Sequence, residues 1–260
     1  MNSDKAARAA RSIATHWDAG TKLEQLSSEL RPITMQEGYR IQNLLGQTET
    51  LVGWKIAATS TNGQQHIGVD SPIAGRLFAR RIIESGASAR MFGNKMAAAE
   101  CEFVFKLKSD LAPRKLPYSR DEVLNAVESL HPGLELPDSR FADFAAAGGP
   151  QLAADNACTH WMVIGEPTDA EWRSVDLSQH KTCLRVDGVI ATQGTGADVL
   201  GDPRDALTWI ANNTNAQGDF LRSGQYVTTD VTGLPFSISA GQHVQADLGR
   251  FGAVDVHLID

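Results

Sequence analysis

Glu100 and Glu102 stand one residue apart in the apolar run Ala99-Glu100-Cys101-Glu102-Phe103-Val104-Phe105, and their type and spacing suggest chemistry more directly than any other residues of the chain. A strand sends residues i and i+2 to one face, so both carboxylates point the same way while Cys101, Phe103 and Phe105 face the other. Two carboxylates so placed repel each other and lose hydration unless a cation compensates them. Oxygen ligands with no His or Cys pattern nearby suit a hard divalent cation, Mg²⁺ or Mn²⁺. The plainer alternative is one glutamate buried against an arginine and the other exposed at a strand end. Glu135, a lone acid in Leu134-Glu135-Leu136-Pro137-Asp138, repeats the pattern and strengthens the metal reading.

Lys55 is the second informative residue. An ammonium inside Val52-Gly53-Trp54-Lys55-Ile56-Ala57 is costly to bury unless a carboxylate pairs with it or function requires it. Such a lysine can move protons or orient a substrate carboxylate; a snorkelling lysine on an edge strand is the alternative. Asp70, at the apex of Gly68-Val69-Asp70-Ser71-Pro72, could pair with Lys55 or act as acid/base, although capping a turn is the commoner use of such an aspartate. Asp155-Asn156-Ala157 suits a tight loop packed against a site, or an Asx-turn. His131 and His160 lie near candidate segments without metal-ligand spacing. The chain has no Gly-x-Gly-x-x-Gly, Walker loop, Gly-x-Ser-x-Gly or Cys-x-x-Cys, and Gly194-x-Gly196 lacks the third glycine and the strand-to-helix setting. Three carboxylates and a lysine without a nucleophile elbow point to metal-assisted chemistry on an enol or keto acid.

The elements that must position these groups are legible in outline. Residues 4 to 17 read as a helix with Ala6, Ala9, Ile13 and Trp17 on one face, and a second helix spans Met35 to Leu45. Leu51 to Ala57 reads as a buried strand, and 76 to 92 as short strands and loops. Ser119-x-x-Glu122 is a capping box opening a helix through Leu130, and Asp202-Pro203 starts another from Arg204 to Asn212. Strands follow in a hairpin around Asp187-Gly188, then at Tyr226–Thr229, His243–Leu248 and Ala253–Ile259. Strands and helices do not alternate, which disfavours a doubly wound sheet. The expected fold is α+β: a helical N-terminal segment, 1–50, and a mixed β-roll or barrel, 51–260, within one structural domain.

A net charge of -7 with scattered basic residues argues against nucleic acid as a partner. The chain has no membrane-length apolar run, and Cys101, Cys158 and Cys183 lack paired spacing, so a soluble cytoplasmic protein is expected.

In order, Arg31-Pro32-Ile33 with Gly38-Tyr39-Arg40-Ile41-Gln42, Gly53-Trp54-Lys55-Ile56, Gly68-Val69-Asp70-Ser71-Pro72, Glu100-x-Glu102, Leu134-Glu135-Leu136-Pro137-Asp138-Ser139-Arg140 and Asp155-Asn156-Ala157 form a series. That series, over nearly the whole chain, resembles the 2-keto-4-pentenoate hydratase family of the fumarylacetoacetate-hydrolase superfamily. The resemblance implies a β-roll, a homo-oligomer and one Mg²⁺ or Mn²⁺ per subunit on Glu100, Glu102 and Glu135. Lys55 would bind substrate and assist proton transfer, with Asp70 close by. Substrates of the family are small 2-hydroxy-dienoates from aromatic-ring degradation, hydrated to 4-hydroxy-2-oxo acids. Sister enzymes decarboxylate a 2-oxo-3-enedioate, and C–C hydrolysis would need a positioned base, for which His160 is the unusual candidate. A non-catalytic partner subunit is a further alternative, opposed by the retained ligands and lysine. The chain departs from the family pattern at Cys158-Thr159-His160, and at Thr229-Asp230 within Thr228-Thr229-Asp230-Val231-Thr232-Gly233. Asp155, Thr159, His160, Asp230 and Thr232 are thus the expected substrate-binding residues, and Asp230 would favour a basic or hydroxylated tail over a second carboxylate.

Overall fold

Asn2 accepts a hydrogen bond from the Lys5 N–H in the computed structural model, which describes residues 1–47 and 49–260, and so caps helix α1 (Ser3–Ala19). Gly20, at φ 63°, closes that helix. Ala6, Ala9, Ala10, Ile13 and Trp17 form its buried stripe. Thr34 caps α2 (Met35–Gln42) in the same way. The chain continues through β1 (Leu51–Ala57), α3 (Thr61–Ile67), β2 (Ile73–Phe78), β3 (Ile82–Ile83), β4 (Ser88–Arg90) and β5 (Ala98–Leu107). Next come α4 (Arg120–Asn125), β6 (Val127–Leu136), α5 (Phe144–Ala147), α6 (Gly149–Ala154) and β7 (Trp161–Ile164). The last third holds β8 (Lys181–Val186), β9 (Val189–Thr195), α7 (Pro203–Ala216), β10 (Tyr226–Thr228), β11 (Phe236–Ser237), β12 (His243–Asp247) and β13 (Ala253–Ile259).

Two sheets result. The first runs β2-β1-β10-β5-β6-β7-β3, with β11 also on β5; the second runs β4-β13-β12-β8-β9. The β1–β10, β3–β7 and β4–β13 pairs are parallel and the other pairs antiparallel, so the architecture is the expected α+β mixed roll. β8, β12 and β13 pack over β5 and β6. Phe103, Phe105, Leu134 and Leu136 share one core with Leu184, Val244 and Val256, each such side chain contributing about 1.5–3 kcal/mol by its burial. Ala6, Ala9, Ala10 and Ile13 of α1 and Ile41 of α2 join a second cluster that includes Phe141, Leu152, Ala154 and Ala157.

Three helix ends differ by three residues or more from the sequence reading. The capping box of Ser119 and Glu122 is present, but its helix stops at Asn125 and does not reach Leu130. From Val127 the chain pairs with β5 along the length of β6, and this ladder overrides any local preference to stay helical. α2 ends at Gln42 rather than Leu45, while α7 runs past Asn212 to Ala216. The hairpin at Asp187-Gly188 joins β8 to β9 with both residues at positive φ, 52° and 80°, the geometry a tight two-residue turn needs.

Candidate metal centre

The β5–β6 register places Glu100 directly opposite Glu135, and Glu102 opposite Gly133. Alternation puts Glu100, Glu102 and Glu135 on one face, away from the core that takes Phe103 and Phe105. One carboxylate oxygen from each lies within 4.8 Å of the other two, and all three residues are buried. A side chain at Gly133 would crowd this face, since a Cβ there would meet Val104 Cγ2 at 2.4 Å and Met162 Cε at 2.6 Å.

Lys55 faces the same group from β1. Its Nζ is 3.0 Å from Glu135 Oε2, and both side chains are buried. Burial alone would lower the lysine's pKa, but the nearby Glu135, Glu100 and Glu102 carry it above the ordinary lysine value, so it stays charged. Opposite Lys55 on β2 is Gly75, where a Cβ would strike Asn156 O at 2.4 Å and Thr159 Oγ1 at 2.5 Å. The missing side chain lets the 156–159 turn lie against the lysine.

Charge in this pocket is not balanced by the protein. Burial, and then the repulsion of neighbouring carboxylates, push Glu100 and Glu102 above the usual carboxylate range. Burial does the same to Glu135, against the pull of Lys55. Glu102 Oε1 and Glu135 Oε1 are buried and, among the described residues, have no hydrogen-bond partner. Three buried carboxylates, two of them with orphaned oxygens, beside one ammonium are a donor set that fits a hard divalent cation.

The remaining residues singled out in the sequence divide. Asp230 is at the centre: its N–H donates to Glu102 Oε2 at 3.0 Å, and its Oδ2 accepts from Thr59 N–H and Thr59 Oγ1, both at 2.7 Å. Its carboxylate therefore ties the loop after β1 to the end of β10. Thr159 reaches the wall behind Lys55 and donates to Asn156 O at 2.6 Å. Thr232 is spent on structure, donating to Cys101 O at 2.8 Å and accepting from Thr182 Oγ1 at 2.7 Å. Asp155, fully buried, accepts from Ser139 Oγ at 2.7 Å, from the Arg140 N–H at 3.0 Å and from the Arg140 guanidinium. Asp70 is exposed in the loop after α3 and, among the described residues, makes no ion pair with Lys55, whose carboxylate partner is Glu135.

His160 is unsuited to the role of positioned base. Its Nδ1 accepts from Trp17 Nε1 at 3.1 Å. Burial first, and then Arg81, Arg140 and Lys22, pull its pKa down to about 2. A histidine neutral when folded and near 6.5 when unfolded costs stability as pH falls below about 6.5, because only the unfolded chain takes the proton. His160→Asn should therefore lessen the loss of unfolding free energy between pH 7 and pH 5 by about 2 kcal/mol in urea titrations. An unchanged pH dependence would place the proton elsewhere.

Two contributors escaped the sequence reading. Thr59 supplies both donors to Asp230, and only the small polar run Ala57-Ala58-Thr59-Ser60 after the lysine strand hints at it. Thr228 lies opposite Val104, on the glutamate face, and its Oγ1 is buried without a partner among the described residues. A cleft of about 500 Å³ adjoins this centre; its walls include Thr59, Thr61, Asp198, Leu200, Asp230 and Leu234.

No family model matches the chain. It is 29% identical over 259 residues to a 2-keto-4-pentenoate hydratase of Paraburkholderia xenovorans, covering 98% of this chain and 95% of the relative. A 2-keto-4-pentenoate hydratase of Burkholderia vietnamiensis is 30% identical over 217 residues, 83% of this chain and 81% of the relative. Among solved structures, 4-oxalocrotonate decarboxylase from Pseudomonas putida G7, complexed with magnesium and adipate, superposes with a TM-score of 0.90 at 20% identity, covering 100% of this chain and 99% of that one. The fold is the fumarylacetoacetate-hydrolase-like fold. Within it, the chain belongs to the 2-keto-4-pentenoate hydratase family.

Proposed function

We propose that this protein is a divalent-metal-dependent hydro-lyase that adds water to a 2-hydroxy-2,4-dienoate and yields a 4-hydroxy-2-oxo acid. The observation that carries the reading is the convergence of Glu100, Glu102 and Glu135, oxygens within 4.8 Å, beside a buried and charged Lys55. These glutamates would hold Mg²⁺ or Mn²⁺, which supplies positive charge to polarise the adjacent carboxylate and 2-oxygen of the substrate. Lys55 presents its ammonium to the same anionic end and is the group placed to give a proton during ketonisation. The Thr228 hydroxyl offers the substrate an unused hydrogen bond at the floor. Thr59 and Asp230 line the cleft beside the glutamates. Asp70 is proposed as an acid/base contributor only by resemblance, and its exposed position does not favour that role. A homo-oligomer in the cytoplasm is the proposed working form, and light scattering after size exclusion measures its size.

Decarboxylation of an enedioate is the second reading, and the cleft disfavours it. Its walls include Asp198 and Asp230, and neither Lys nor Arg lines it. A distal carboxylate would enter a negative field without a partner, whereas a neutral tail meets hydroxyls and Leu200 and Leu234. Asp230→Asn keeps an oxygen for Thr59 and removes the charge. It should raise the kcat/KM ratio of dicarboxylic to neutral-tailed substrates by about tenfold, the effect of roughly 1.4 kcal/mol. Equal ratios in variant and wild type would remove Asp230 from specificity. The function itself is tested by supplying 2-hydroxypenta-2,4-dienoate with Mg²⁺ or with chelator. Metal-dependent loss of the dienol absorbance with one water gained by mass is expected. Carbon dioxide from an enedioate, with the dienoate untouched, would overturn the reading.

A further inference from the structure

We propose that His243, Asp255 and His257 form a second metal site, one that takes a borderline divalent ion such as Zn²⁺. In the antiparallel β12–β13 pair His243 stands directly opposite His257, and Asp255 precedes His257 by two residues. Alternation therefore puts all three on the outer face of the second sheet, whose inner face sends Val244, Val254 and Val256 into the core. Directly opposed residues have Cβ atoms about 4.5–5.5 Å apart, close enough for two imidazoles to reach one ion. One ligand atom from each of the three lies within 4.8 Å of the others. The imidazoles stack with centroids 4.6 Å apart, and His243 Nε2 is 2.8 Å from Asp255 Oδ2.

Neighbouring groups already hold these ligands in place. The Ser85 hydroxyl donates to Asp255 Oδ1 at 3.2 Å and accepts from the Asp255 N–H at 3.1 Å, leaving Oδ2 turned to the histidines. Asp187 Oδ1 accepts from the His243 N–H at 2.9 Å. The Ser85 contact fixes the carboxylate's orientation before the ion arrives, and the Asp187 contact anchors the His243 backbone. Two imidazole nitrogens and one carboxylate oxygen suit Zn²⁺, with a fourth position left for water, whereas the all-oxygen glutamate set suits Mg²⁺. The two sites lie on different sheets, and the dienoate chemistry uses none of these three residues.

Zn²⁺ titration of chelator-stripped protein, in excess Mg²⁺ and against a chromogenic chelator, tests the site. Wild type and Glu102→Gln should each bind one Zn²⁺. His257→Ala, at an exposed position, should weaken binding by more than about tenfold, and His243→Ala/His257→Ala should lose it. Retained Mg²⁺-dependent turnover of the double variant shows that it is folded. Zn²⁺ bound with unchanged affinity by the double variant but lost from Glu102→Gln would assign the ion to the glutamate centre and overturn the proposal, as would wild type that binds none.

Discussion

Glu102→Gln should lower metal-dependent turnover by about a thousandfold or more, since several kcal/mol of charge stabilisation are at stake and each 1.36 kcal/mol is tenfold in rate. Glutamine matches glutamate in size, and its amide oxygen can still accept the Asp230 N–H that now reaches Glu102 Oε2 at 3.0 Å, so the fold should persist. A second readout separates metal loss from general damage. Mg²⁺ should raise the melting temperature of the wild type and leave the variant unmoved, because only an ion bound by the folded chain stabilises it. Full activity together with a Mg²⁺-induced shift would exclude Glu102 as a ligand.

Lys55→Met should slow turnover by about a hundredfold or more while metal still binds, the usual scale for a group that moves a proton. Methionine has similar length and no charge, so the packing beside Gly75 survives. Glu135, however, loses the ammonium 3.0 Å away. Breaking a buried pair from one side costs about 3–5 kcal/mol, so the metal-free variant should unfold at lower urea than metal-free wild type. An unchanged rate accompanied by that stability loss would make Lys55 a structural counter-charge and nothing more.

The Glu100–Glu102 pair could be read from spacing because strand alternation is a local rule that needs no knowledge of neighbours. Glu135 was reachable only by analogy of pattern. Its place opposite Glu100 is a matter of β5–β6 register, and the start of β6 was itself hidden behind a helix expected to run through Leu130. Lys55 was conspicuous as a charge in an apolar run, but its partner was not: the nearby acidic turn suggested Asp70, and the sheet brought Glu135. At Asp155 and His160 the residue types suggested substrate binding, and the contacts the fold gives them are with other protein groups. Arg140 saturates the one, and Trp17, from the N-terminal helix, occupies the other. Asp230 was expected beside a substrate tail; it lines the adjoining cleft, and its carboxylate also braces Thr59, a tie the sequence did not announce. Contacts that span more than a hundred residues in sequence leave no local signal.

The turn behind Lys55 carries a consequence for how the proposed site can change. Asn156, Ala157 and Cys158 all adopt left-handed backbone, at φ 58°, 51° and 60°. Each such residue costs about 1–2 kcal/mol relative to ordinary backbone. The Asn156 side chain offsets this by clasping Arg76 from both sides, accepting from its N–H at 2.7 Å and donating to its carbonyl at 2.9 Å. That half of the pocket is therefore intolerant of drift, since most replacements or one-residue insertions would release the clasp and the lysine wall together. The cleft side, 197–201 and 231–234, is a 3-10 turn and loops, and among the described residues it makes no hydrogen bond to Lys55 or to the 156–159 turn. New substrate tails should be acquired there first, in natural divergence or in directed evolution, with the lysine side inherited unaltered.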